Sequence, residues 1–344
     1  MSSIKIRGVR AEDADSLIKL YNSIGWKLSE RQAHRIVDFS INCDYSKMFI
    51  AELNGKIIGK VTLDTVFPPY AEIVNVVVHP NYWGRGIGSK LIGKCINMAV
   101  KLNHNIIYLM CDPSNEKVHK FYAKIGFKPA ILGNPKKPRN DMWLYYFGKE
   151  TIVKKFLEKH SFAEFHVSKR RRMFHKLRVY SMKWRDPITE DNLEILVKGQ
   201  PGQPLKNGTM PRIAGVRLRW KGIKFDCWIN DESFKNYRGY FKLNLQNHSV
   251  EEKSIKIFPL MREDMKLILK FRPNITLNPK EELSMDGEIQ LTKNFEVKLN
   301  YLSFPTIIAS LTLRINHNLD IIISSGFNPP SARRSKASKM KTEL

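Results

Sequence analysis

Apolar positions along the chain change period near its middle. In the first 150 residues, runs with strand spacing alternate with runs of helical spacing. Ile4–Arg10, Met48–Leu53, Ile57–Thr65, Ile73–Val78, Ile106–Met110, Phe127–Leu132 and Met142–Phe147 are short and rich in β-branched or aromatic residues, which predicts strands. Asn54-Gly55 between two of them predicts a tight hairpin. Between strands, Ala11–Asp15 opens a helix faced by Leu17, Ile18, Leu20 and Tyr21. Ser29 caps a second helix running through Phe39. Ile87, Leu91, Ile92, Cys95, Met98 and Ala99 recur at the spacing of a third. Val118, Phe121, Tyr122 and Ile125 share one face of a fourth, with Gly126 suited to end it. Thr151–His160 predicts one more helix.

Beyond Pro187 the pattern is strand-like throughout. Val216, Leu218 and Trp220 alternate with arginines, and Phe241, Leu243 and Leu245 alternate with polar residues. Further runs lie at Ile255–Ile257, Met265–Phe271, Ile289–Leu291, Phe295–Leu299, Ile307–Ile315 and Asp320–Ile323. Asn278-Pro279 and Asp286-Gly287 read as turns between them. Many short strands without helices predict an antiparallel β-sandwich, immunoglobulin-like in pattern alone. The expected organisation is an α+β domain over 1–150, a basic aromatic connector over 151–187, a β-sandwich accessory domain over 188–325 and a basic disordered tail over 326–344.

Candidate chemistry concentrates between Glu72 and Leu91. The strand Ile73–Val78 is followed by Gly84-Arg85-Gly86-Ile87-Gly88-Ser89, which opens the third helix. Glycines let a backbone approach a ligand closely. The unpaired N–H groups of a first helical turn, with the positive end of the helix dipole, favour an anion. A dinucleotide fingerprint would need glycine where Ser89 stands, and a P-loop would need Gly-Lys-Ser/Thr, so neither is present.

Downstream come Asn115, Phe121-Tyr122 and Gly126-Phe127. With Trp83-Gly84-Arg85-Gly86-Ile87-Gly88 they give this segment, about residues 3–148, its resemblance to the GNAT superfamily of acetyl-CoA-dependent N-acetyltransferases. The family loop is Gln/Arg-x-x-Gly-x-Gly/Ala, and Trp83 departs from it at the first position. The resemblance implies a mixed, mostly antiparallel sheet flanked by helices, with acetyl-CoA as co-substrate and no metal. It implies direct transfer of an acetyl group to an amine acceptor, a small molecule or a protein, in a ternary complex. The backbone of Val76, Val77 and Val78 should pair with the pantetheine arm, and Gly84, Arg85, Gly86, Ile87, Gly88 and Ser89 should hold the pyrophosphate. Asn115 and Phe121 should line the coenzyme site. The acceptor should enter between the loop around Gly25-Trp26 and the loop Gly133–Asp141.

An amine must lose a proton to attack a thioester, and the leaving thiolate gains from an acid. Glu72 matches the position of a glutamate base in some members; its alternative is a solvent-facing carboxylate at a strand end. Asn75 lies on the same strand and can position but not abstract. His79 follows the strand, where a capping or surface role competes with titration. Tyr122 matches the family's tyrosine acid, its ordinary pKa near that of a thiol; its alternative is a packed tyrosine. Glu72 and Tyr122 are therefore the expected catalytic residues.

Composition modifies this picture in two ways. Net charge is +25, more than one coenzyme requires. The span 151–185 holds eleven Lys/Arg against two acids, interleaved with Phe162, Phe165, Phe174, Tyr180 and Trp184. Lys169–Arg178 thus suggests a nucleic acid or an acidic protein as partner; an amphipathic connector with solvated cations is the competing reading. Four cysteines without paired or metal-ligand spacing suit a reduced, cytoplasmic chain, and no apolar run is long enough for a membrane span. The alternative function is a non-catalytic acyl-CoA-sensing protein that docks nucleic acid or protein through its basic connector and sandwich.

Overall fold

The structure, a computed structural model, describes residues 3–136, 142–200, 209–292 and 306–327. The expected strand Phe295–Leu299, residues 328–344 of the expected tail 326–344 and part of the loop Gly133–Asp141 lie outside the described residues; Gly326 and Phe327, expected in that tail, end a strand instead. Contacts divide the chain into two compact units. The first comprises Met1–Val66 and Tyr70–Leu109; the second comprises Phe67–Pro69 and the chain from Met110 onward. The division falls inside the segment 1–150 expected as one domain.

In the first unit, β1 (Lys5–Gly8), α1 (Ala14–Asn22), α2 (Glu30–Asn42), β2 (Ser46–Leu53), β3 (Lys56–Phe67), β4 (Tyr70–Val78), α3 (Ile87–Lys101) and the start of β5 (Ile106–Cys111) follow in order. The strands lie in the order β1-β2-β3-β4-β5. β1–β2 and β2–β3 are antiparallel, and β4–β5 is parallel. The β2–β3 hairpin turns at Asn54 and Gly55, both at positive φ (51° and 75°), as a two-residue Asn-Gly turn requires. Ser29 caps α2 through Gln32 N–H while Gln32 reaches back to Ser29 N–H. The core joins Leu17 and Leu20 of α1, Ala33 and Val37 of α2, Met48 and Ile50 of β2 and Val77 of β4. Helical spacing on α1 and α2 and alternation on β2 converge on one apolar layer.

The second unit begins with α4 (Glu116–Ile125), the antiparallel pair β6 (Lys128–Ile131) and β7 (Met142–Phe147), and α5 (Ile152–Lys159). Thr151 caps α5. Strands follow: β8 (Glu164–Val167), β9 (Arg172–Phe174), β10 (Leu177–Arg185), β11 (Asn192–Gln200), β12 (Thr209–Trp220), β13 (Ile223–Lys235) and β14 (Arg238–Asn247). The rest are β15 (Lys253–Leu260), β16 (Met265–Leu269), β17 (Asn274–Leu277), β18 (Glu282–Leu291), β19 (Ile307–Ile315) and β20 (Leu319–Phe327). They form two antiparallel sheets. The larger runs β16-β18-β14-β13-β12-β11-β10-β8, with β9 paired to β10; the smaller runs β17-β15-β19-β20.

Residues in the larger sheet alternate by row. Ile195, Val216, Cys227 and Leu245 stand side by side and buried, while the adjacent row is Glu194, Arg217, Asp226 and Gln246. One face is therefore apolar and the other is crossed by ion pairs, Arg217 reaching both Glu194 (3.4 Å) and Asp226 (3.2 Å).

Three expectations change here. The stretch 151–187, expected as a connector, holds α5 and β8–β10, and β8 and β10 belong to the larger sheet. Phe174, Tyr180 and Trp184 within it are buried, so these rings pack inward and are not available for stacking on bases. Asp286-Gly287, expected as a turn, lies inside β18. Gly287 pairs with Phe241, whose ring fills the space a Cβ would take, so the missing side chain serves packing.

Asp231 of β13 ties the two sheets together. Its carboxylate accepts from Lys198 Nζ (2.6 Å), from Arg212, from Ser325 Oγ (2.7 Å) and from Gly326 N–H (2.9 Å). Burial opposes its ionisation, but the two cations and these bonds prevail and hold it down at about 2. Asp231→Asn leaves the buried Arg212 and the half-buried Lys198 without their counter-charge and should destabilise by about 3–5 kcal/mol in chemical denaturation. Removing Asp320, whose pair with Arg314 is partly solvated, should cost about 1 kcal/mol or less. Because folding lowers the pKa of Asp231, its contribution is complete above the ordinary carboxylate range. It fades as pH falls through about 2, so the difference between wild type and Asp231→Asn should shrink in acid.

Candidate active site

In the first unit the site is built along β4. Its parallel pairing with β5 runs from Tyr70–Ile106 to Glu72–Tyr108, and β4 continues through Ile73–Val78. Within that continuation Asn75 adopts φ 51°, a left-handed conformation that asparagine tolerates better than most side chains. It interrupts the alternation of the strand: Ile73 and Val77 are buried and Asn75 is exposed. Val76 and Val78 are half-buried.

Glu72 is not a solvent-facing strand end. It is 6% exposed, and its Oε2 accepts from Tyr108 Oη at 3.2 Å. Its Oε1 has no hydrogen-bond partner among the described residues. Burial, then the negative charge of Asp64, push Glu72 up to about 8, against the opposing bond from Tyr108. On β3, Lys60, Thr62 and Asp64 share one face by alternation. Lys60 is 1% exposed, donates to Thr62 Oγ1 at 3.2 Å and sits 5.5 Å from the centre of the Tyr21 ring. Burial brings Lys60 down to about 8 despite Asp64. Asp64 accepts from Ser46 Oγ at 2.5 Å, and burial raises it to about 6. Glu72 thus belongs to a buried polar group with Lys60, Asp64 and Tyr108. The sequence reading missed those three, because charged residues on an alternating strand read as its solvent face.

After β4, His79 Nδ1 accepts from Asn81 N–H, the capping role weighed above. Gly84 and Gly86 adopt φ 76° and 74° with open space where a Cβ would stand. Gly86 is the N-cap of α3 and offers no side-chain cap, whereas Ser29, Asn115 and Thr151 cap α2, α4 and α5. The amides of Ile87, Gly88 and Ser89 are therefore left to an external acceptor. Ile87 is buried and anchors the helix, while Gly84, Arg85, Gly86 and Ser89 are exposed. Trp83 Nε1 donates to Val78 O at 2.7 Å, and Arg85 lies over the Tyr82 ring at 5.2 Å. These residues suit a pyrophosphate: a glycine backbone, free amides, no acid in the first helical turn and a cation beside it.

In the second unit, Asn115 Oδ1 accepts from Val118 N–H at 3.2 Å. Asn115, expected to face the coenzyme, uses this oxygen to cap α4. Phe121 is half-buried against Tyr122, their ring centres 5.2 Å apart. Tyr122 is buried and packs edge-on against Phe127, and Gly126 ends α4 at φ 106°. Burial, then Cys111, push the Tyr122 phenol well above its ordinary value, so it stays protonated. It is a weaker acid than the sequence reading assumed, and a firm hydrogen-bond donor.

A kinked strand, a glycine loop with free amides and an uncapped helix define an α+β domain prepared for an anionic ligand. Residues 15–127 match the model of the acetyltransferase (GNAT) family, and this part of the chain is a GNAT domain with a mixed sheet flanked by helices. An uncharacterised N-acetyltransferase of Methanocaldococcus jannaschii is 30% identical over 136 residues, 36% of this chain and 60% of that protein. The chain therefore spans less than two thirds of that relative's length. Another, of Archaeoglobus fulgidus, is 26% identical over 132 residues, 35% of this chain and 90% of that protein. The PaiA N-acetyltransferase of Thermoplasma acidophilum, solved in complex with coenzyme A, is 20% identical. It covers 42% of this chain and 99% of its own, with a TM-score of 0.36.

The burial of Glu72 has a measurable sign. Its proton is held more tightly in the folded chain than in the unfolded one. Stability should fall as pH rises from the ordinary carboxylate range through about 8. Glu72→Gln should raise Tm at pH 8, with the gain shrinking toward pH 5, read by thermal melts at both values.

Proposed function

We propose that the protein is an acetyl-CoA-dependent N-acetyltransferase that moves an acetyl group directly to an amine acceptor in a ternary complex. The observation that carries this reading is the open-amide loop Gly84–Ser89 at the start of α3, inside the segment that matches the family. Acetyl-CoA supplies an activated acetyl thioester. The amides of Ile87, Gly88 and Ser89 bind its pyrophosphate, with Arg85 adding charge. The backbone of Val76–Val78, beyond the β5-paired part of β4, receives the pantetheine arm as an added strand would. Its N–H groups favour an acetyl oxygen that gains negative charge.

Glu72 acts as the proton acceptor for the amine, directly or through a water, and its raised proton affinity suits an ammonium better than an ordinary carboxylate would. Tyr122 donates a hydrogen bond to the thiolate as it leaves. The β-rich half, which we read as a β-sandwich, serves as an accessory module. The exposed cations Lys169, Arg170, Lys176 and Arg178 fit a macromolecular, anionic acceptor or partner.

Calorimetry with acetyl-CoA tests the coenzyme site. Wild type should bind. Gly86→Glu should not, because a side chain is strained at φ 74° and its carboxylate competes for the same amides. Mass spectrometry of an amine and peptide panel then identifies the acceptor class; binding without any product would support the sensing protein, and no binding would overturn the coenzyme reading. In steady-state kinetics on an identified acceptor, Tyr122→Phe should lower kcat about 100-fold. Wild-type kcat/KM should rise with pH toward a plateau above about 8, and Glu72→Gln should lose that rise.

A further inference from the structure

We propose that Trp83 is the platform on which the adenine of the coenzyme stacks, a role that rests on the acetyl-CoA reading above. Trp83 stands where the family loop has Gln or Arg, so a side-chain hydrogen bond to pyrophosphate is not its obvious use. Its indole N–H is committed elsewhere, to the carbonyl of Val78 at 2.7 Å. That bond fixes the ring between the end of β4 and the first glycine of the loop. Even so, the residue is 65% exposed. The neighbouring Tyr82 ring is already engaged, with the Arg85 guanidinium 5.2 Å from its centre and the His79 ring 5.6 Å away. Among the described residues no ring or cation is stacked on Trp83.

A large aromatic surface held in place by its only polar atom, yet left in water, is ready to accept a flat partner. The anion cradle beside it states which partner. A pyrophosphate on the amides of Ile87–Ser89 carries pantetheine on one side and adenosine on the other. The pantetheine side leads along β4, so adenosine is left near the outer, exposed side of the loop, where Trp83 and Arg85 lie. Purines stack on indole without needing further hydrogen bonds. The same side chain thereby does two jobs: its N–H joins the loop to β4 and its face holds the nucleotide.

Two ligands and two variants separate these jobs. Dephospho-CoA carries adenosine and 4′-phosphopantetheine lacks it. Trp83→Gln keeps a side-chain N–H for the Val78 carbonyl and removes the ring; Trp83→Phe keeps a ring and removes the donor. Titration calorimetry should show Trp83→Gln weakening dephospho-CoA about tenfold while 4′-phosphopantetheine stays within about twofold of wild type. Trp83→Phe should retain most of the preference for the adenosine-bearing ligand. Tryptophan emission should be quenched by dephospho-CoA and not by 4′-phosphopantetheine, and the quench should vanish in both variants. Equal weakening of both ligands in Trp83→Gln would overturn the proposal and leave Trp83 a loop tie only, and unchanged affinity for both would overturn it outright. If neither ligand binds wild type, the coenzyme reading itself falls and takes this proposal with it.

Discussion

A carboxylate taken out of water without a cation in contact is the constraint on which the N-terminal unit depends. Glu72 meets one hydrogen bond, from Tyr108, and faces the charge of Asp64. In such surroundings the charged form is disfavoured, and the proton stays on near neutrality. Lys60, the nearest buried cation on β3, is itself pulled toward neutrality by the same burial. Three ionisable groups therefore share an interior in which none has its ordinary affinity for a proton. Surroundings of this kind are costly to fold, and they recur where proton transfer is performed. The geometry of β4 follows the same logic. Pairing with β5 reaches Glu72, and beyond it the strand takes a left-handed conformation at Asn75.

The parts of this unit that could be read from sequence depend on local chemistry. Asn54-Gly55 turns because both residues accept positive φ, and Ser29 with Gln32 closes a helix end on itself. Gly84 and Gly86 stand where a side chain would be strained. Each requires only a few neighbouring residues, so each was legible before any tertiary contact was known. The environment of Glu72 was not. Lys60 and Asp64 alternate on β3 as solvent-facing residues would, and only the elements covering that face make them interior. The left-handed turn of Asn75 gives no signal in a run of valines and isoleucines. Nor could the raised proton affinity of Tyr122 be read from its place in a helix, because burial sets it.

The second unit illustrates the same division. Period-two alternation located β12, β14, β15, β16, β19, β20 and the end of β18, since one sheet face is apolar and the other polar, but β8–β11, β13 and β17 were not read. The errors arose where composition was read without that alternation. Around Lys169–Arg178 the cations Lys169, Arg170, Lys176 and Arg178 are exposed as composition suggests, but Phe174 and Leu177 between them are not. In the sheet, Phe174, Leu177 and Val179 turn inward against Trp228, and Arg172 pairs with Glu194. The glycine of Asp286-Gly287 suggested a turn, but the ring of Phe241 required it. A long strand can hold turn residues when a neighbour needs the room.

Asp231 limits how this half of the chain can vary. Its two oxygens receive four donors from three strands, and no other side chain offers the same acceptors at the same length without a proton of its own. Glutamate would carry the charge too far, and asparagine would present N–H groups to donors. The position should therefore be as intolerant of replacement as any reactive residue, for purely architectural reasons. A substitution screen scored only by lost activity would flag it as an essential acid, although what its loss removes is the tie between two sheets.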